Sequence, residues 1–134
     1  MASIQTKIAL SLSALTLGIV GILVVFAPSF LYGLNNIALD PSAAMMSEIR
    51  APGVPILAGC ILAIAGLKDD RPVTPALILS AVLLLSYAVG RLISLPMDGI
   101  PPASLLAALA IELALGLWCA LIVVNVREPA QHAG

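Results

Sequence analysis

From Ile8 to Ala27 no charged residue interrupts the chain, a stretch of about 20 residues and long enough for a helix to cross a hydrocarbon layer of roughly 30 Å. Three further apolar stretches follow, separated by short segments rich in Pro, Gly and charge. Such runs cannot be hidden in a soluble core of this size, and their backbone groups can be satisfied in lipid only within helices or a closed barrel. Composition agrees: the 134 residues are 61% hydrophobic and 10% charged, against about 25% charged in soluble domains. The expected fold is all-α, an integral membrane four-helix bundle forming a single transmembrane domain over 1–134. Its helices are placed at about 6–27, 42–67, 73–95 and 103–126.

Lys7 followed by apolar residues can imitate a secretory signal, but the run exceeds the roughly 7–15 residues of a signal core. Phe26-Ala27-Pro28 is also a poor cleavage site, so the first span is read as retained. Ser11, Ala14, Gly18 and Gly21 give it a small-residue seam for close helix contact. The segment 29–40, with Tyr32, Gly33, Asn35 and Asn36, reads as an interfacial loop or a short re-entrant piece. Pro52 and Pro55 would free the carbonyls of Glu48 and Ala51 inside a helix, so either the second span kinks here, the favoured reading, or a short amphipathic turn at about 42–50 precedes a straight span from Pro52 to Leu67. Lys68-Asp69-Asp70-Arg71-Pro72 forms a polar turn, and Pro96 to Pro102 forms the next.

Short connections make neighbouring spans antiparallel. Lys7, Lys68, Arg71 and Arg127 all fall on one side, which places both termini in the cytoplasm of a multi-pass protein of the inner (plasma) membrane. The 127–134 tail is polar and expected to fray.

The third span carries the most informative pattern. Tyr87, Arg91, Ser94 and Asp98 recur at spacings of four, three and four, hence on one helical face, and Ser80 and Leu84 extend the stripe. An Arg at the centre of a membrane helix costs roughly 2.5–3.5 kcal/mol on insertion scales, so it needs a partner or a wet cavity. Counting residues from the outer helix ends puts Arg91 roughly 7–8 Å deep and Glu112 roughly 15 Å deep. Glu48 and Arg50 enter from the same side. Arg91 is therefore expected to pair with Glu112, with Glu48 or Asp98 in the same network and Arg50 nearby. The buried charge cluster so predicted comprises Glu48, Arg50, Tyr87, Arg91, Ser94, Asp98 and Glu112. It admits three roles: fixing helix register, lining an outward cavity for a ligand or headgroup, or relaying protons through Glu112. The inner half offers only Thr16, Ser80, Cys60, Cys119 and Asn125, too little for a complete relay.

Other chemistries find no residues. Cys60 and Cys119 match no metal or redox spacing, and they read as small hydrophobes. His132 stands alone in the tail, so no metal site is expected. No catalytic triad, phosphate loop or HExxH occurs; no catalytic residue and no cofactor is assigned. A net charge of -1 and few aromatics exclude a nucleic-acid footprint. The glycines at 18, 21, 59, 66, 90 and 116 read as close helix contacts.

Ser47-Glu48-Ile49-Arg50-Ala51 before a Gly-bearing helix, Gly90-Arg91-Leu92-Ile93-Ser94 with Asp98-Gly99, and Glu112 in the last helix carry a resemblance. Over about 8–126 the chain resembles a family of small bacterial four-helix membrane proteins of unknown function, related to the DoxX-like group. Pro52 and Pro55 around Gly53 depart from the more Gly-rich, aromatic stretch expected there. The resemblance implies an accessory role beside a redox enzyme, linked to quinone or thiol oxidation. Beside the lipid bilayer itself, the expected partners are a membrane protein or a second copy, and a small lipophilic or quinone-like ligand. The function classes left are a non-enzymatic accessory or ligand-binding subunit, a redox-linked subunit, and a small proton-linked transporter acting as an oligomer.

Overall fold

The computed structural model describes residues 2–127. Six helices follow in order: α1 (Ile4–Phe26), α2 (Pro28–Gly33), α3 (Ala43–Arg50), α4 (Gly53–Lys68), α5 (Val73–Asp98) and α6 (Ala103–Arg127). No strand occurs among the described residues. α1, α3 with α4, α5 and α6 give four helical stretches long and apolar enough to cross a membrane. The tail 128–134, with His132, lies outside the described residues.

Local chemistry sets the helix ends. Ser3 caps α1 by accepting from the Thr6 amide, and Ser42 caps α3 by accepting from the Met45 amide. The second span is built of two helices, α3 and α4, that meet in a turn at Ala51-Pro52. Both residues keep right-handed helical backbone angles, and the Ala51 amide still reaches the Ser47 carbonyl. The segment after α1 is more ordered than a loop: α2 opens on Pro28 at its first position.

α5 runs three residues past its expected end at Leu95, with Pro96 inside it. Pro96 lacks an amide for the Leu92 carbonyl, but one turn from a helix end that loss is small because the carbonyl is open to solvent or headgroups. Ser94 donates to Asp98 across the same turn at 2.7 Å, and Gly99 ends the helix at φ 96, where a Cβ would be strained.

Leu10, Leu17, Ile56, Ala63, Ala76, Leu77, Leu84, Leu115 and Cys119 belong to one buried cluster drawn from all four spans. Small residues let the backbones approach: a Cβ at Gly59 would lie 2.5 Å from Leu83 and 3.1 Å from Leu17, and one at Gly116 would lie 2.8 Å from Leu85. Along α1 and α4, Leu10 meets Gly66, Gly18 meets Cys60, Gly21 meets Leu57 and Val24 meets Gly53. The α1 seam thus packs within the chain, although Ser11 is exposed and Ser13 takes the buried place. The outward faces carry Leu15, Ile19, Ile22, Ile61, Val82, Ile111 and Leu121. An apolar surface of that extent suits hydrocarbon rather than water.

Candidate functional site

Toward the end of the bundle where α5 stops and α6 starts, Arg91 of α5 faces Glu112 of α6 and donates to it twice. Its Nε lies 2.9 Å from one carboxylate oxygen and its Nη2 3.1 Å from the other. This fork geometry is the strong form of an Arg–carboxylate pair. Glu112 is more enclosed than Arg91, at 12% against 29% side-chain exposure. From the helix ends at Asp98 and Ala103, Arg91 lies about 10 Å deep and Glu112 about 14 Å, and the long Arg side chain closes the difference.

Of the remaining predicted residues, Tyr87 and Ser94 join Arg91 along one wall. Asp98 reaches the group only through Ser94. Glu48 and Arg50 are exposed on α3, and among the described residues neither forms a hydrogen bond or ion pair with Arg91 or Glu112. The reason is helical phase. α3 buries Ile49, so residues 48 and 50 each point about 100° away from the core. Arg50 instead borders a separate recess with Val25, Met46 and Val54.

Arg91 stands where three spaces meet. Inside the bundle is a cavity of ≈ 40 Å³ whose lining includes Thr16, Ile56, Tyr87, Arg91 and Glu112, room for about two or three waters. Toward the end of α5 a space of ≈ 80 Å³ runs past Ser94 to Pro101 and Leu105. Sideways, a groove of ≈ 440 Å³ is bounded by Tyr32, Ser86, Tyr87, Gly90, Arg91 and Ser94. A wider recess of ≈ 680 Å³ between α5 and α6 is lined by residues such as Ile78, Val82, Val89 and Val123 and suits lipid chains.

The hydrogen-bond inventory tells what the groove has to offer. Ser86 donates to the Val82 carbonyl and Ser94 to Asp98, so both hydroxyl protons are spent. Arg91 has five N–H donors and spends two on Glu112, leaving three. Neither the Tyr32 nor the Tyr87 hydroxyl has a hydrogen-bond partner among the described residues. The site therefore presents donors and calls for acceptors.

Two contributors escaped the sequence reading. Tyr32 forms a groove wall because Asn35 accepts from Ser104 of α6 at 2.6 Å, tying the end of the α2 segment across the bundle. Ser13 is fully buried 3.5 Å from the Cys119 thiol. Helical phase hints at Ser13, whereas no local signal announces Tyr32. The opposite half of the bundle holds Ser80, whose buried hydroxyl has no partner among the described residues, and two free thiols: Cys119 beside Ser13, Cys60 beside Gly18. Among the described residues no three His, Cys, Asp or Glu side chains come together to hold a metal. Outside the spans, the Ala2 amide donates to Asp70 at 3.1 Å and holds its carboxyl below the usual carboxylate range.

Four helical stretches long and apolar enough to cross a membrane, two of them joined by the Arg91–Glu112 ion pair, mark a helical, multi-pass membrane protein. Residues 5–123 match the domain of unknown function DUF4345, and the chain belongs to that family. The match carries no link to the DoxX-like group. No curated protein and no solved structure matches the chain.

Proposed function

We propose that the chain is a single-domain membrane protein of the inner (plasma) membrane. Its four spans run antiparallel with both termini cytoplasmic, and it serves as an accessory or small-ligand-binding subunit through the Arg91 site. Lys7, Lys68 and Arg71 sit at helix ends on one side, where positive charge favours the cytoplasm. Arg91, Glu112 and Asp98 then belong to the outer half.

The observation that carries the binding role is the donor surplus at Arg91. A pair needed only to fix register would be sealed by neighbouring helices. This one fronts an open groove, with three N–H groups and two tyrosine hydroxyls free to meet an acceptor. Intramembrane ionisable groups on a cavity mark binding sites by default. The inner half, with an unpartnered Ser80 and a Ser13–Cys119 contact, supports no continuous proton path.

Native mass spectrometry of protein gently released from its own membrane tests this reading. A bound small molecule is expected on the wild type and absent from Arg91→Ala. A bare protein, or an adduct indifferent to that change, contradicts it. The redox-linked, DoxX-like alternative is separated by the same spectrum, since it requires a quinone among the adducts.

A further inference from the structure

The glycines inside α1, α4 and α6 each sit where a Cβ would come within 3.1 Å of a neighbouring side chain. Gly90 is different. A Cβ there would meet nothing within 4 Å, so its presence is not a close helix contact within the chain, contrary to the expectation from sequence. A glycine inside a helix costs about 1 kcal/mol relative to Ala, and no packing in this chain offsets that. Gly90 lies in the groove, one residue from Arg91, and its missing side chain deepens the passage toward the guanidinium.

The groove is open along the side of the bundle, at membrane depth, and its unspent donors are three Arg91 N–H groups and two tyrosine hydroxyls. Arg91 is the charged residue of the groove's lining, and two carboxylates stand just behind it: Glu112 neutralises Arg91, and Asp98, one hydrogen bond away through Ser94, tips the local balance negative. An anion entering there meets repulsion, whereas a neutral acceptor takes the Arg91 N–H groups without it. A second copy packing a helix against Gly90 would leave those N–H groups capped by hydrocarbon, and Tyr32 stands across the groove as its far wall.

We infer that Gly90 floors a lateral entry for a neutral, membrane-dissolved amphiphile whose ester or ketone carbonyl accepts from Arg91 and the tyrosine hydroxyls. The assignment rests on the ligand-binding reading above and adds the route and the ligand's chemistry. The tail stays among the lipid chains and only the head enters the groove.

The test titrates purified full-length protein in detergent with four probes, read by native mass spectrometry. Dioctanoylglycerol and decylubiquinone offer neutral ester and ketone carbonyls, dioctanoyl phosphatidate offers the same acyl tails with an anionic head, and hexadecane offers no acceptor. At least one neutral probe should bind saturably, one per chain, with the phosphatidate weaker by about tenfold or more. Gly90→Leu should weaken that neutral probe by about tenfold or more through steric filling, while Gly90→Ser stays within about threefold of wild type. Circular dichroism of Gly90→Leu should match the wild type and its unfolding midpoint should equal or exceed it, since a Cβ there meets nothing within 4 Å and Gly is the poorer helix former. Equal or tighter binding of phosphatidate or hexadecane overturns the ligand class. Unchanged binding by Gly90→Leu overturns the route. Failure of both neutral probes while the native-membrane adduct persists overturns this inference and leaves the ligand-binding reading standing; absence of that adduct removes both. A dimer abolished by Gly90→Leu assigns the groove to a second copy instead.

Discussion

Replacing Glu112 with Gln keeps the side chain's volume and one acceptor but removes the charge that Arg91 meets. Exposed ion pairs contribute about 0–1 kcal/mol, and breaking a fully buried one costs about 3–5 kcal/mol. The Arg91–Glu112 pair lies between, with a carboxylate 12% exposed and a guanidinium 29% exposed. Discounting for the open side of Arg91 puts the loss in Glu112→Gln at about 2 kcal/mol. Arg91→Leu strands the more enclosed partner and should cost as much or slightly more. The double variant Arg91→Leu/Glu112→Leu removes both charges together with their desolvation cost, so it should lie within about 1 kcal/mol of wild type. A double-mutant cycle built on Arg91→Leu and Glu112→Leu therefore predicts a coupling energy of about 2 kcal/mol or more. The assay is reversible unfolding in mixed micelles titrated with dodecyl sulfate, followed by far-ultraviolet circular dichroism and by fluorescence of Trp118, which packs against the core. A coupling below about 0.5 kcal/mol would show that the pair contributes nothing, and would remove the physical basis for placing both charges inside the membrane.

Four further outcomes follow from other contacts. Gly116→Ala puts a Cβ 2.8 Å from Leu85 Cγ and 3.2 Å from Leu84 Cβ, so it should lower stability by about 1–3 kcal/mol in the same unfolding assay. Gly90→Ala, with open space around it, should be neutral or gain up to about 1 kcal/mol; the reverse order would refute the packing described. Asn35→Ala removes the bond to Ser104 and should speed hydrogen exchange across 29–40, with exchange unchanged in the core of α5. The Ala2–Asp70 contact holds the folded carboxyl below its unfolded value, so that contact is complete above about pH 3.9 and is lost as pH falls through the lower folded value. The Ala2 amide resonance should accordingly titrate with a midpoint below about 3.9, and a midpoint above it would contradict the bond.

The four spans were legible because about 20 apolar residues in a row leave the backbone no other solution in lipid. The Arg91–Glu112 partnership was legible too, since rise per residue and side-chain reach suffice to compare depths. Grouping Glu48 and Arg50 with that pair failed because depth says nothing about azimuth: Ile49 takes the buried face of α3 and turns both charges outward. The end of α5 was misplaced by treating Pro96 as a stop, although near a helix end its missing donor matters little. Tyr32 could not be found locally, because its position depends on a hydrogen bond between Asn35 and Ser104, 69 residues apart. Gly90 looked like the other helical glycines until the neighbours of each were known.

The most direct test of the central claim is an experimental structure of the protein in nanodiscs formed with lipid from its own membrane. The account predicts density in the groove between Tyr32 and Gly90, with a polar end within hydrogen-bonding distance of Arg91 and a tail leading into the bilayer. A groove empty of density, or closed by a helix of another chain, would contradict it.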